Sequence, residues 1–86
     1  MDINLLISII KRKIQRKIVV ENIAIEDKSF LHKNHPGNQV GKFHLKITIQ
    51  SKELSQMNKI NSNKLIYKTL DEEMNQFIHS LQIFIV

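Results

Sequence analysis

Cysteine and tryptophan are both absent from this chain. Without thiols it can form no disulfide and no metal site made from its own thiolates. The lack of cysteine also fits a reducing compartment. Proline occurs once and glycine twice, as Pro36, Gly37 and Gly41, so no glycine-rich loop is available to cradle a phosphate. Aromatic residues amount to four Phe and one Tyr, which leaves little to stack nucleobases. No apolar run approaches membrane-spanning length. Leu5–Ile10 is apolar, but it is short, follows Asp2 and gives way to charges instead of a small-residue cleavage site, unlike a secretory signal. The expectation is a soluble, cytoplasmic protein with no membrane partner.

What the chain does have is aliphatic residues, fifteen of them isoleucine, in a length of 86 that suits one domain spanning residues 1–86. Ile3, Leu6, Ile10, Ile14 and Ile18 recur at steps of three and four, with Ile7 widening the stripe, and predict a helix from about Asn4 to about Lys17. From Glu21 the period becomes two, and Ile23 and Ile25 mark a short half-buried strand. Asp27 to Gly41 reads as a long loop around the single Pro-Gly turn. Phe43, Leu45, Ile47 and Ile49 then alternate with Lys42, His44, Lys46, Thr48 and Gln50, giving a second strand with a core face and a polar face carrying His44. Ser51 to Lys59 is a turn with a short helical piece near Leu54. A further helix follows, with Ile66, Leu70, Met74, Phe77 and Ile78 on one side and Asp71, Glu72 and Glu73 on the other, capped by Asn61 or Ser62. The apolar run Leu81–Val86 reads as a buried central or parallel strand. The order helix, strand, strand, helix, strand makes an α+β domain: a small three-stranded sheet with helices on one face.

Charge is distributed unevenly. Residues 1–46 carry nine Lys/Arg against four Asp/Glu, whereas residues 47–86 carry four of each. The excess centres on Lys11, Arg12, Lys13, Arg16 and Lys17, a stripe that serves either as a solvated helix face or as a contact for phosphates or an acidic partner.

Four histidines are the residues with chemistry to offer. The helical stripe within Leu65–Leu81 delivers His79 to the start of the last strand, where its imidazole is either a ligand or a satisfied group at a helix–strand junction. His32 and His35 have the spacing of a metal-binding pair, but beside Pro36 they sit on a loop with no helix to set their geometry. His44, between Lys42 and Lys46, reads as a solvent-facing sheet residue. Asp71, Glu72 and Glu73 are consecutive and fan around their helix, so they do not converge on a substrate. No acid–base pair or activated nucleophile emerges, and the expectation is a protein that is not an enzyme and has no small-molecule substrate.

An ordered set of motifs resembles the BolA-like family. Asp27, Ser29 and His32 match its Asp-x-Ser-x-x-His loop. His44, Leu45, Lys46 and Ile47 match its His-Phe-Lys-Val strand, with Ser51 at the end. Leu65, Ile66 and Tyr67 match its apolar–apolar–Tyr helix, Leu70, Glu72 and Glu73 the Leu-x-Glu-Glu that follows, and His79, Ser80 and Leu81 its closing His-Ala-Leu. Three departures accompany the match. Ser62-Asn63-Lys64 stands where the family has Arg-His-Arg, Gln56 replaces a loop glycine, and Val86 ends the chain where relatives continue through a Tyr/Thr-Pro-x-x-Trp tail, a further partner surface.

The resemblance implies a fold similar to the type II KH domain, here without the GxxG loop. It implies a monothiol glutaredoxin as partner and a [2Fe–2S] cluster shared with that glutaredoxin and glutathione, with no cofactor on the chain alone. His79 would be the iron ligand, with His32 or His35 reaching in from the loop; neutral imidazole suits iron and replaces thiolate in some clusters of this kind. Such an adaptor would serve cluster assembly, trafficking or iron sensing. The alternative is a DNA-binding transcriptional regulator of stress or morphology that uses Lys11, Arg12, Lys13, Arg16, Lys17 and Lys64. The Ser62-Asn63-Lys64 departure weakens that second role.

Overall fold

The computed structural model describes residues 1–29 and 42–86, so His32, His35 and the Pro36-Gly37 turn lie outside the described residues. The element order is α1 (Ile3–Lys17), β1 (Asn22–Asp27), β2 (Phe43–Gln50), α2 (Lys52–Ser55), α3 (Lys59–Thr69), α4 (Asp71–Gln76) and β3 (Ile78–Ile85). The α+β architecture expected from the sequence is present. The three strands form one sheet in the order β1-β2-β3, with β1 antiparallel and β3 parallel to the central β2.

Helix α1 follows directly from its aliphatic spacing. Leu6, Ile10 and Ile14 are fully buried, and Arg16 and Lys17 occupy the last turn, where cations oppose the partial negative charge of the helix end. At Ile18 the backbone becomes extended. The β-branched sequence Ile18-Val19-Val20 explains the exit, because such side chains favour extended backbone.

Cross-strand registers put Ile23 and Ile25 of β1, Ile47 and Ile49 of β2, and Leu81, Ile83 and Ile85 of β3 on one face. That face joins the buried side of α1 and Leu54, Ile66 and Leu70 in a single core. Each fully buried aliphatic side chain contributes about 1.5–3 kcal/mol relative to exposure.

Four details depart from the expectations. First, the long second helix is two helices: α3 ends at Thr69, Leu70 leaves helical geometry with φ −103° and ψ 22°, and α4 begins at Asp71. Second, the cap of α3 is Asn58, whose side chain accepts the Asn61 amide, and neither Asn61 nor Ser62 caps it. Third, β3 is parallel to β2 as predicted but forms a sheet edge and not its centre, and it starts at Ile78. An apolar run reads the same for a central strand and for an edge that packs on helices. Fourth, Glu73 is buried instead of facing water. Its Oε2 accepts a hydrogen bond from Lys13 Nζ at 2.7 Å, tying α4 to α1, while Glu72 lies 3.6 Å from the same ammonium.

Candidate functional site

The site forms where β3 begins beside β2. Phe43 pairs with Ile78 but His44 pairs with Ser80, so the register slips and His79 is the additional residue on β3. A bulge of this kind re-aims a side chain that strict alternation would point elsewhere. The result is a pair of imidazoles, His44 and His79, with ring centroids 4.7 Å apart and planes tilted by 59°.

The two rings differ in surroundings. His44 is buried, only 4% exposed, and its Nδ1 is 2.7 Å from Ser80 Oγ. Alternation along β2 assigned His44 to a polar face and hence to solvent; that assignment is corrected, because the period of a strand reports which face a residue takes and not what covers that face. Its backbone is fixed as well. The Asp27 carboxylate accepts the Ser29 amide, the Ser29 hydroxyl accepts the His44 amide, and the His44 carbonyl accepts the Lys28 amide. Asp27 and Ser29 thus serve to lock the end of β1 onto His44. His79, by contrast, is exposed, and among the described residues its ring makes no hydrogen bond. One imidazole is anchored and the other is presented at the surface.

Other motif residues are also structural. Ser51 Oγ accepts the Leu54 amide and donates to the Val19 carbonyl, capping α2 and fastening it to the segment after α1. Tyr67 Oη donates to the Leu81 carbonyl and holds α3 against β3.

The basic residues of α1 do not act as one group. Arg12, Arg16 and Lys17 are exposed and Lys11 is half-buried, whereas Lys13 is committed to Glu73 and Glu72. The hydrogen bond to Glu73 is the main cause that holds the Lys13 ammonium above the ordinary lysine pKa of 10.5. Lys64 lies on α3, a different element, and is exposed. Among the described residues no three His, Asp or Glu side chains gather as a metal site. No described helix is long and apolar enough to cross a membrane.

Known proteins resemble this chain in sequence and in fold. The chain is 35% identical over 75 residues to the DNA-binding transcriptional regulator BolA of Haemophilus influenzae, covering 87% of this chain and 70% of that protein. It is 30% identical over 76 residues to the chloroplastic protein BOLA1 of Arabidopsis thaliana, covering 85% of this chain and 48% of that longer one. The solved structure of BolA1 from Arabidopsis thaliana superposes with a TM-score of 0.74 at 30% identity over 91% of this chain and 86% of that one. BolA1 from Mus musculus shares the fold, with a TM-score of 0.71 at 19% identity over 90% of this chain and 60% of that one. The family model described as BolA-like protein matches residues 14–86, which include the His44–His79 pair and the strands that create it. The chain is therefore a member of the BolA-like protein family.

Proposed function

We propose that this protein is an adaptor that docks on a monothiol glutaredoxin and lends the His79 imidazole to a [2Fe–2S] cluster held between the two molecules. The observation that carries the reading is the contrast at the start of β3: His79 is exposed and without a hydrogen bond among the described residues, beside a buried His44 that Ser80 holds. An exposed imidazole with an open nitrogen is available to ligate, and neutral imidazole suits iron. His79 would hold the iron from this side, with His32 or His35 as the loop donor. The thiolates would come from the glutaredoxin and its glutathione. Such a cluster supplies redox-active iron and labile sulfide that can be passed on. The chain's own part is to orient the ligand and to recognise the partner, with no catalytic step. The working compartment is the cytoplasm, and the role is cluster assembly, trafficking or iron sensing.

The experiment is anaerobic co-purification with a monothiol glutaredoxin, followed by visible absorbance and circular dichroism. A stable mixed complex is expected with the native chain, and faster cluster loss with His79→Ala. An unchanged spectrum and lifetime in that variant would remove the ligand assignment.

A second reading, DNA binding, is favoured by the similarity to the Haemophilus influenzae transcriptional regulator and by the exposed Arg12, Arg16, Lys17 and Lys64. Lys13 could join only by leaving Glu73. This reading predicts steep salt dependence together with sequence preference. Weak binding that is uniform across sequences and vanishes at physiological salt would reduce it to charge attraction.

A further inference from the structure

The outer edge of β3 carries a second surface that the His79 site does not use. On the inner side, the Val86 amide donates to the Ile49 carbonyl of β2 at 2.9 Å, and Ile49 pairs with Ile85. In a parallel ladder the residue opposite its partner then turns its own amide and carbonyl away from that partner. Ile83 and Ile85 therefore direct their backbone groups outward. Leu81 shares this direction, and its carbonyl is already taken by the Tyr67 hydroxyl. Among the described residues, nothing pairs with the outward groups of Ile83 and Ile85. A sheet edge usually blunts such groups with charge, proline or a cover. From Ile78 to Val86 there is no Asp, Glu, Lys, Arg, Pro or Gly.

Beside this edge lies a groove of about 390 Å³ whose walls include Leu54, Met57, Ile83, Phe84 and Ile85. Phe84 is 48% exposed, high for a large aromatic. Among the described residues, the one charged side chain lining it is Lys59, at the first turn of the 11-residue helix α3, which has no acidic residue in that turn. Open backbone, largely apolar walls and a lysine with no carboxylate among the lining residues occur together, and Lys46 Nζ lies 5.0 Å from the centre of the Phe84 ring.

We propose that an extended segment of a partner protein, apolar at alternate positions and carrying a carboxylate, adds to the sheet as a fourth strand along Ile83–Ile85. Its amides and carbonyls pair with those of Ile83 and Ile85, its apolar side chains enter the groove, and its carboxylate meets Lys59. The charge favours this occupant over another copy of the chain, because two copies of net charge +5 repel. Largely apolar walls with one lining lysine and one exposed aromatic favour it over a nucleic acid, which needs several cations and stacking faces. The proposal is independent of iron ligation at His79.

The test uses the intact chain, ¹⁵N-labelled, and three fluorescent eight-residue probes. One alternates valine with polar residues and contains two aspartates, the second replaces those aspartates with lysine, and the third carries N-methyl groups on every second backbone nitrogen of the acidic peptide. The acidic peptide should slow hydrogen exchange at the Ile83 and Ile85 amides. The lysine and N-methyl peptides should each bind at least tenfold more weakly, and Lys59→Glu should reverse the charge preference. Equal binding of the N-methyl peptide would overturn the proposal, as would binding that leaves those two amides unprotected. It would equally be overturned if the chain alone protected them as its concentration rose, the mark of a second copy. Protection by a single-stranded oligonucleotide but by none of the peptides would assign the groove to nucleic acid instead.

Discussion

His44 and His79 stand with their ring centroids 4.7 Å apart, and the hydroxyl of Ser80 fixes the first of them at 2.7 Å. The slip of register between Phe43 and His44 brings the rings together, so the same irregularity that interrupts the β2–β3 ladder creates the candidate site. A buried, hydrogen-bonded imidazole thus stands beside an exposed one.

If His79 is a ligand and not a structural group, the fold should not depend on it. His79→Ala is expected to change unfolding free energy by about 1 kcal/mol or less, since the ring is exposed and gives up its contact with His44. Urea denaturation followed by circular dichroism measures this. A loss several times larger would assign His79 to the helix–strand junction.

Ser80→Ala removes the hydroxyl at His44 Nδ1. A single hydrogen bond of this kind contributes about 0.5–1.5 kcal/mol, so a loss in that range is expected from denaturation curves. The His44 ring resonances should shift and broaden as the ring gains freedom. A variant with native stability and unchanged His44 signals would contradict the supporting role.

Lys13 and Glu73 are expected to act as a pair. Lys13→Met leaves the Glu73 carboxylate, whose Oε1 already has no hydrogen-bond partner among the described residues, buried without its cation. The expected cost is about 2 kcal/mol, less than the roughly 3–5 of a fully buried pair, because about a third of the Lys13 side chain remains in water. The double variant Lys13→Met, Glu73→Met should recover most of the loss. The pH dependence has a defined sign. The Lys13 pKa is raised in the folded state, so its contribution is complete below the ordinary value of 10.5 and is lost as pH climbs through the higher folded value. Native protein should therefore lose stability above pH 10.5 more steeply than the double variant. Parallel curves would dissolve the coupling.

Ser51 matches a family motif yet faces neither histidine. Ser51→Ala should cost about 1–2 kcal/mol through the lost cap of α2 and the orphaned Val19 carbonyl. The variant should still form the mixed cluster with native absorbance. Loss of the cluster at intact stability would give Ser51 a direct part in the site.

The parts of this structure legible in the sequence are those governed by local period. The stripe of α1 and the alternation of β2 specify their elements nearly to the residue, since few competing patterns overlap them. The break at Leu70 was hidden because Ile66, Leu70 and Met74 sustain an uninterrupted apolar stripe across it. The ion pair of Lys13 with Glu73 joins residues sixty positions apart and leaves no local mark. The candidate site divides in the same way. The motif that His79 closes marks it as a candidate, and the helical stripe before it places it at the start of β3. Its neighbour His44 was missed, because their contact depends on strand register, which the hydrophobic pattern of either strand alone does not specify. The pairing of a strand histidine with the serine after the final histidine was the available signal, once β2 and β3 were aligned in parallel.

The most direct measurement is pulsed electron paramagnetic resonance of the reduced mixed cluster, assembled from unlabelled glutaredoxin and chain labelled with ¹⁵N only in histidine. The account predicts a strong ¹⁵N coupling from directly bound imidazole in the native complex, and its disappearance in His79→Ala. A complex that forms normally but shows no such coupling, or one whose coupling survives the His79→Ala substitution, would contradict it.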